Sequence, residues 1–415
     1  MSTFGDKIAK LCFDKYLSLK KTGKPQVNEW TVLAGIVLKK DKDDLLVVSL
    51  ATGTKCLGAN DLMNTDLYKL GSRLSDSHAE VLARRALIRY LYDQIDQLLS
   101  SASSDVFVLN ENKIIEFKNN ISFHFFCSQS PCGDCSIIPK NNFNTSGKDF
   151  LPLKKIKLDN EINVDNKNYE TNESNLNKTG INTLVFEDIY RTGAKCLETE
   201  VKQDLHLPGI NYHVTGPLRI KPGRGDPTLS LSCSDKLAKW NFLGIQGALL
   251  SLLIPTIKLE TVVIGSGCPF SLDAIERGLC RRFNKKDFLP KILQSSLSFV
   301  DQKNQDKINP CPSSIVWCAV KNRPTEVVVE GRKQGATKNK KGSNLLITRR
   351  EFLRSFVRII DKHPNFKHLP SHPKKMNYYL CKQWSTDYQK SWSCLKSTIF
   401  KSWTKKPETL QYFSL

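Results

Sequence analysis

Two short polar motifs, far apart in the chain, constrain it most, because the chemistry they offer requires them to meet. The first is Asp76-Ser77-His78-Ala79-Glu80-Val81. It opens a run in which Val81, Leu82, Ala86, Leu87, Ile88 and Leu91 recur with a helical rather than a strand period. Asp76 or Ser77 can cap that helix. His78 and Glu80 are two residues apart and do not share a helix face. At the first turn, where the backbone is still entering the helix, both can reach one point. The second motif is Ser130-Pro131-Cys132-Gly133-Asp134-Cys135, which an apolar strand over residues 121–127 delivers at its end.

Each motif alone has an ordinary reading. Ser77-x-x-Glu80 is also a capping box, in which Glu80 only bonds back to a backbone N–H. Cys-x-x-Cys is also a redox pair. Together, a His-x-Glu upstream and a Pro before the first Cys match a zinc deaminase signature. One His and two thiolates leave a fourth tetrahedral position for water, and the metal acidifies that water. A carboxylate that does not touch the metal takes the proton and passes it to the leaving amine. On this reading His78 and Cys132 hold the ion and Glu80 moves the proton. Spacing alone makes Cys135 the third ligand.

The 415 residues allow one large domain or two ordinary ones, and 40% apolar residues suffice for a packed core. A net charge of +21 points to a polyanionic partner. The 13 Cys are odd in number and lack framework spacing, as expected of reduced thiols in cytosol or nucleus. The N-terminus lacks the apolar stretch of a signal peptide. The longest apolar run, near residues 249–254, is too short to span a bilayer, so no membrane partner is expected.

Along the chain, residues 6–19 read as a helix, and 30–38 with 45–50 as a hairpin closed by the polar turn 41–44. Residues 51–56 read as a loop, and the His78 helix ends near Leu99. Ten of the forty residues 141–180 are Asn, with Lys, Asp and Glu filling much of the rest. This is the composition of a flexible insertion within a domain. Residues 301–312 and 336–344 read as shorter versions of it. A strand at 184–190 and a Pro/Gly-rich loop at 207–228 follow. A helix opens at 231–236 and runs to about Leu253, with Gly244 and Gly247 permitting close packing. Further strands fall at 259–265, 315–320 and 326–329. The tail from Thr348 is helical, with Phe352, Phe356 and Ile359 or Ile360 inward. The alternation gives an α/β fold, with the motifs at strand and helix ends of an open sheet.

With His78-Ala79-Glu80, Pro131-Cys132-Gly133-Asp134 and Ser232-Cys233-Ser234-Asp235-Lys236 in order, the chain resembles one family from about Trp30 to Leu415. It is similar to the adenosine deaminase domain shared by the double-stranded-RNA editing enzymes and the tRNA-specific deaminases that act beside the anticodon. The resemblance implies a cytidine-deaminase-like three-layer core, a mixed sheet flanked by helices, with extra C-terminal helical and strand elements. Residues 1–415 then form a single deaminase domain carrying the 141–180 insertion. It also implies one catalytic zinc and hydrolytic conversion of adenosine to inosine in RNA. The third zinc ligand moves to Cys233, with Cys135 as the alternative. Both cysteines sit near a helix N-terminus, which lowers a thiol pKa.

The resemblance gives the basic tail a second reading. From Lys321 to Leu415, 21 Lys and Arg stand against 6 Asp and Glu, and Trp384, Trp392 and Trp403 lie among them. Such charges are a surface for RNA, or they face inward around a counter-charge, since unpaired burial is prohibitive. The family encloses inositol hexakisphosphate. Its pocket residues map to Arg84, Arg85, Lys236, Lys239, Lys333, Tyr378, Lys382, Tyr388, Trp403 and Lys406, with Lys236 linked to the metal site through Asp76. Trp392 falls where a Lys is expected and Lys405 where a Glu is expected.

The same resemblance bears on substrate. About seventy residues precede His78 and read as deaminase strands, leaving no room for a double-stranded-RNA-binding domain. The family's Gly-Glu-Gly loop, whose Glu fills the gap left by a flipped base, aligns with Gly193-Ala194-Lys195, which has no acid. An unpaired base costs least to extract. Both departures favour an adenosine already exposed in a loop, and the likeness is nearest to the members acting on position 37 of alanine tRNA. Lys195, Arg219, Lys221 and Arg224 are loop cations expected to flank the mouth and contact RNA. No obligate protein partner is expected, and the location is nucleus or cytoplasm. The competing readings are an editor of double-stranded RNA that borrows RNA binding from a partner, and an inactive zinc protein that binds RNA.

Overall fold

The computed structural model describes residues 2–41, 44–63, 70–101, 103–140, 188–197, 204, 213–223, 225–283, 289–336, 344–362, 366 and 377–415. The insertion read at 141–180, most of the 336–344 segment and Arg224 lie outside the described residues.

A mixed eight-stranded sheet forms the centre. Its strands are β1 (Leu33–Lys39), β2 (Leu45–Thr52), β3 (Ser122–Cys127), β4 (Leu259–Ser266), β5 (Lys291–Ser298), β6 (Ser313–Cys318), β7 (Thr325–Val329) and β8 (Arg332–Lys333). They stand in the order β5-β4-β3-β1-β2-β6-β7-β8. β3, β4 and β5 run parallel to one another, and the remaining pairs are antiparallel.

Period-two alternation along β1 sends its side chains to two helical layers. Leu33 and Val37 pack with Ile8, Cys12 and Tyr16 of α1 (Phe4–Ser18). Ala34, Ile36 and Leu38 share a core with Leu82, Ala86, Leu87 and Leu91 of α2 (Ala79–Ser101). Each fully buried Leu of that stripe contributes roughly 1.5–3 kcal/mol. α5 (Arg349–Lys362) lies against α2 through Phe352, Phe356 and Ile359. Two short helices, α6 (Tyr378–Gln383) and α7 (Thr386–Ser397), follow it. Among the described residues no helix is long and apolar enough to cross a membrane.

Several expectations change. Residues 54–56 are not loop, and the helix does not begin before His78. Thr54–Cys56 pairs antiparallel with Asp76–His78, and α2 starts at Ala79. Residues 301–312 are not a loose insertion. Asn309–Pro310 pairs with Glu29–Trp30, and Tyr16 Oη donates to Asp301 at 2.6 Å. The helix expected to reach Leu253 is α3 (Cys233–Leu243), ended by Gly244 at φ 90°. That φ, open to glycine, stops the helix a turn past Trp240. The strand at residues 291–298 and the helix α4 (Leu272–Leu279) have sequences too mixed in polarity to have announced themselves.

Candidate metal centre

Three chain ends converge at the catalytic end of the sheet. The strand Asp76–His78 runs into α2, the loop after β3 carries Pro131-Cys132, and α3 begins at Cys233. Asp76 Oδ1 accepts the His78 N–H at 3.0 Å, turning the chain from strand into helix. His78 therefore sits at the last strand position and Glu80 in the first helical turn, which is how residues two apart converge.

The Ser-Cys-Ser motif stitches α3 to the Cys132 loop. Ser234 Oγ donates to the Pro131 and Cys132 carbonyls at 3.1 and 2.9 Å, and the Ser234 N–H reaches Cys132 O at 3.0 Å. The Cys233 N–H points at Cys132 Sγ at 3.3 Å. Gly133, at φ 105°, passes so close to α3 that a Cβ there would stand 2.3 Å from Ser232 Oγ.

His78 Nδ1 lies 3.8 Å from Cys132 Sγ and 3.7 Å from Cys233 Sγ. The three ligand atoms fall within 4.8 Å of one another, the one such group among the described residues. One imidazole and two thiols at this spacing fit zinc. Cys135, the ligand that spacing alone selects, is elsewhere. Its Sγ faces the Ile275 carbonyl of α4 at 3.8 Å, and burial pushes its thiol up to about 12. The hydrogen bond from Cys233 holds the Cys132 thiol well below the usual thiol range, with the Lys221 ammonium assisting.

Glu80 is 3% exposed and its Oε2 has no hydrogen-bond partner among the described residues. A buried orphan oxygen is costly to keep, and a helix cap alone does not account for it. Across the strand pair from His78 stands Thr54, whose buried Oγ1 is likewise without a partner. No sequence signal singled it out.

Lys221 and Arg219 are corrected. Expected on the surface against RNA, both are 1% exposed. Lys221 Nζ donates to Asp76 Oδ2 at 2.8 Å and to Cys233 Sγ at 3.1 Å, and Arg219 pairs with Asp204 at 2.5 Å. A short strand, Arg219–Ile220, turns them inward by pairing with Lys195–Cys196. Lys195 is exposed there.

Behind Asp76 opens a cavity of about 580 Å³. Every pocket residue expected from the resemblance lines it except Lys333. Lys333 is corrected: it sits on β8, the edge strand, held by pairing to Val328. The cation supplied from that part of the chain is instead Arg349 at the start of α5. Its signal was the Thr348-Arg349 step into an amphipathic helix. Trp392 and Lys405, the two departures, line the cavity as well. Lys239 Nζ rests 3.5 Å from the Trp392 ring centroid and 4.9 Å from that of Trp403.

The charged side chains of the wall are mostly cationic, Asp76 and Glu408 being its acids among the described residues. Burial, then Lys382, Arg84, Lys396 and Lys236, hold the Lys239 ammonium well below the usual lysine range, and Lys406 is lowered by burial and Arg349. Tyr92 Oη and Thr404 Oγ1, also on the wall, have no hydrogen-bond partner among the described residues. Asp76 joins the two sites. Burial pushes its carboxyl up, but Lys221 on the metal side and Lys236 on the cavity side outweigh it and hold it well below the carboxylate range.

Comparison with known proteins follows the same lines. A family model described as the adenosine-deaminase (editase) domain matches residues 49–407. The tRNA-specific adenosine deaminase 1 of Homo sapiens is 34% identical, over 98% of this chain and 99% of its own. That of Schizosaccharomyces pombe is 30% identical, over 92% of each chain. The double-stranded RNA-specific editase Adar of Drosophila melanogaster is 29% identical, over 68% of this chain and 36% of its own.

Proposed function

The chain belongs to the adenosine-deaminase (editase) domain family and is an adenosine-deaminating hydrolase that acts on RNA, and from that premise we propose that it converts adenosine to inosine at position 37 of alanine tRNA. One observation carries the choice of tRNA. The likeness to relatives named for tRNA runs over nearly the whole of both chains, whereas the editase shares 36% of its length. Residues 1–415 are read as one domain with a cytidine-deaminase-like core, supported by a single hydrophobic cluster that joins Ala34 to Phe413.

His78, Cys132 and Cys233 would hold one zinc, which when bound lowers the pKa of water toward neutrality. Glu80 Oε2, buried and without a partner among the described residues, would accept one proton from the water and give it to the adenine ring nitrogen, then carry the proton left on the new C6 hydroxyl to the departing amine. A C–O bond forms at C6, the C6–N bond breaks, and ammonia leaves. Lys221 stabilises the Cys233 thiolate through its N–H. The cavity fits inositol hexakisphosphate: apart from Lys236, which pairs with Asp76, its cations have no acidic partner among the described residues, and its orphaned hydroxyls suit a polar guest. Arg84, Arg85, Lys236, Lys239, Arg349, Lys382 and Lys406 would hold the phosphates.

The test is sequencing of tRNA treated with the purified protein. Adenosine at position 37 of alanine tRNA should be read as guanosine. Conversion at position 34 alone, or in long duplexes alone, sinks the substrate reading. Metal analysis tests the ligand set: Cys233→Ala should lose zinc and Cys135→Ala should keep it, and the reverse pattern overturns the assignment.

A further inference from the structure

Of the six tryptophans, five pack into the hydrophobic clusters; Trp30 does not. It is half-buried, and around it the chain leaves Val27 91%, Val300 61% and Ile308 56% exposed. An indole held in the open is normally a loose side chain, but this one is fixed. Its Nε1–H donates to Ile308 O at 3.2 Å. Its backbone pairs with Pro310, and the Cys311 N–H reaches Trp30 O at 2.8 Å. Thr31 N–H bonds Asp301 O at 2.9 Å. A two-strand pairing thus holds one part-exposed ring in place.

The ring stands at the catalytic end of the sheet. Two residues on, Val32 O accepts the Gly53 N–H at 3.1 Å, and Gly53 O accepts the Ala79 N–H at 3.0 Å, so two backbone hydrogen bonds connect this corner to the residue beside His78. Its charge suits a polyanion. Lys303 Nζ lies 5.9 Å from the ring centroid, while the nearby Asp301 carboxylate is already occupied by Tyr16 and Lys307. A rigid, part-exposed aromatic face beside a cation is the usual receptor for an unpaired nucleobase, with the phosphate beside it met by the lysine.

We propose that Trp30 is a stacking platform for an unpaired base of the RNA loop that carries the target adenosine. This deepens the tRNA reading and rests on it. By stacking a neighbouring base, Trp30 registers the loop so that the target adenosine falls at the metal centre. It is a positioning residue, not a catalytic one.

The probe is a synthetic stem-loop of the alanine tRNA anticodon arm, together with versions in which the base at each other loop position is removed in turn. Kd is measured with protein carrying Glu80→Gln, so that the RNA is not converted. One abasic position should weaken binding about tenfold or more, the order of a single base–aromatic stack. Trp30→Phe should keep that sensitivity. Trp30→Leu, which keeps an apolar side chain, should bind the intact and the abasic RNA alike, with an unchanged unfolding midpoint. An unchanged affinity in Trp30→Leu, or an abasic penalty that persists in it, overturns the proposal. If Trp30→Leu does not fold, the scan with unaltered Trp30 decides, because the absence of any sensitive loop position also overturns it. Failure of the tRNA reading looks different: the parent enzyme then makes no inosine in the intact stem-loop while deaminating another RNA.

Discussion

At the metal centre the donors are arranged before any ion is considered. Ser234 ties the Cys132 loop to α3, Asp76 turns His78 into place, and Lys221 donates to Cys233 Sγ from within the protein. Among the described residues of the cavity behind it, only Lys236 has an acidic partner, Asp76. Lys239 has two indole rings and four other cations for company, and Lys406 faces Arg349 and Lys236. The two sites are neighbours sharing one carboxylate, Asp76. The first has its ligand-type donors held in place by protein groups. The second carries an excess of cations over its acids Asp76 and Glu408, and burying such charges is costly without a counter-charge.

The largest effect separates chemistry from metal holding. Glu80→Gln keeps size and hydrogen bonding and removes the proton carrier. It should lower kcat by about 10²–10⁴-fold while zinc content stays at one per chain. Undiminished turnover would return Glu80 to the role of a helix cap.

Next in size is the bond between the sites. Lys221 and Asp76 are 1% and 5% exposed, and removing one partner of a buried pair costs about 3–5 kcal/mol. Lys221→Ala should therefore fall sharply in denaturant midpoint, with a secondary loss of zinc. A stable variant whose only defect is weaker, less salt-sensitive RNA binding would restore the surface role first expected of it.

This pair shows where the sequence was legible and where it was not. His78, Glu80 and Cys132 stand in contiguous motifs, whose chemistry dictates residue type and spacing. The third ligand was not fixed by spacing, because Cys135 is nearer in sequence and only the stitching by Ser234 puts Cys233 at the site. Lys221 read as a loop cation because its Pro/Gly-rich surroundings hide the short strand Arg219–Ile220 that turns it inward. The central hairpin was plain from two apolar runs, 30–38 and 45–50, on either side of the polar turn 41–44. The strand at residues 291–298 was not, because an edge position leaves it half exposed and mixed in polarity. Arg349 was missed for Lys333 because cavity residues are drawn from distant elements with no shared motif, so the tertiary fold decides which cation arrives.

The smallest effect tests whether the cavity is truly unbalanced. Saturating inositol hexakisphosphate should raise stability by mass action, about 2.7 kcal/mol at a hundred times Kd, and mass spectrometry of the denatured protein should find the compound bound. The pH dependence then distinguishes a structural guest from surface adhesion. Burial and neighbouring cations hold Lys239, Lys382 and Lys406 below the ordinary lysine value. The cavity also presents Arg84, Arg85, Lys236, Arg349, Lys396 and Lys405 as cations, Tyr378 and Tyr388, and only Asp76 and Glu408 as acids. With the three lysines lowered, the folded chain binds fewer protons than the unfolded one at pH below about 10.4, so stability rises with pH there. Bound phosphates favour the charged lysines and reverse that sign. Unfolding midpoints measured between about pH 7 and 9 should therefore climb without the polyanion and flatten or fall with it. Lys239→Met, which removes the most strongly crowded ammonium, should shrink the difference between the two slopes. Parallel slopes with and without the compound would mean that it binds outside, on the basic surface of the tail.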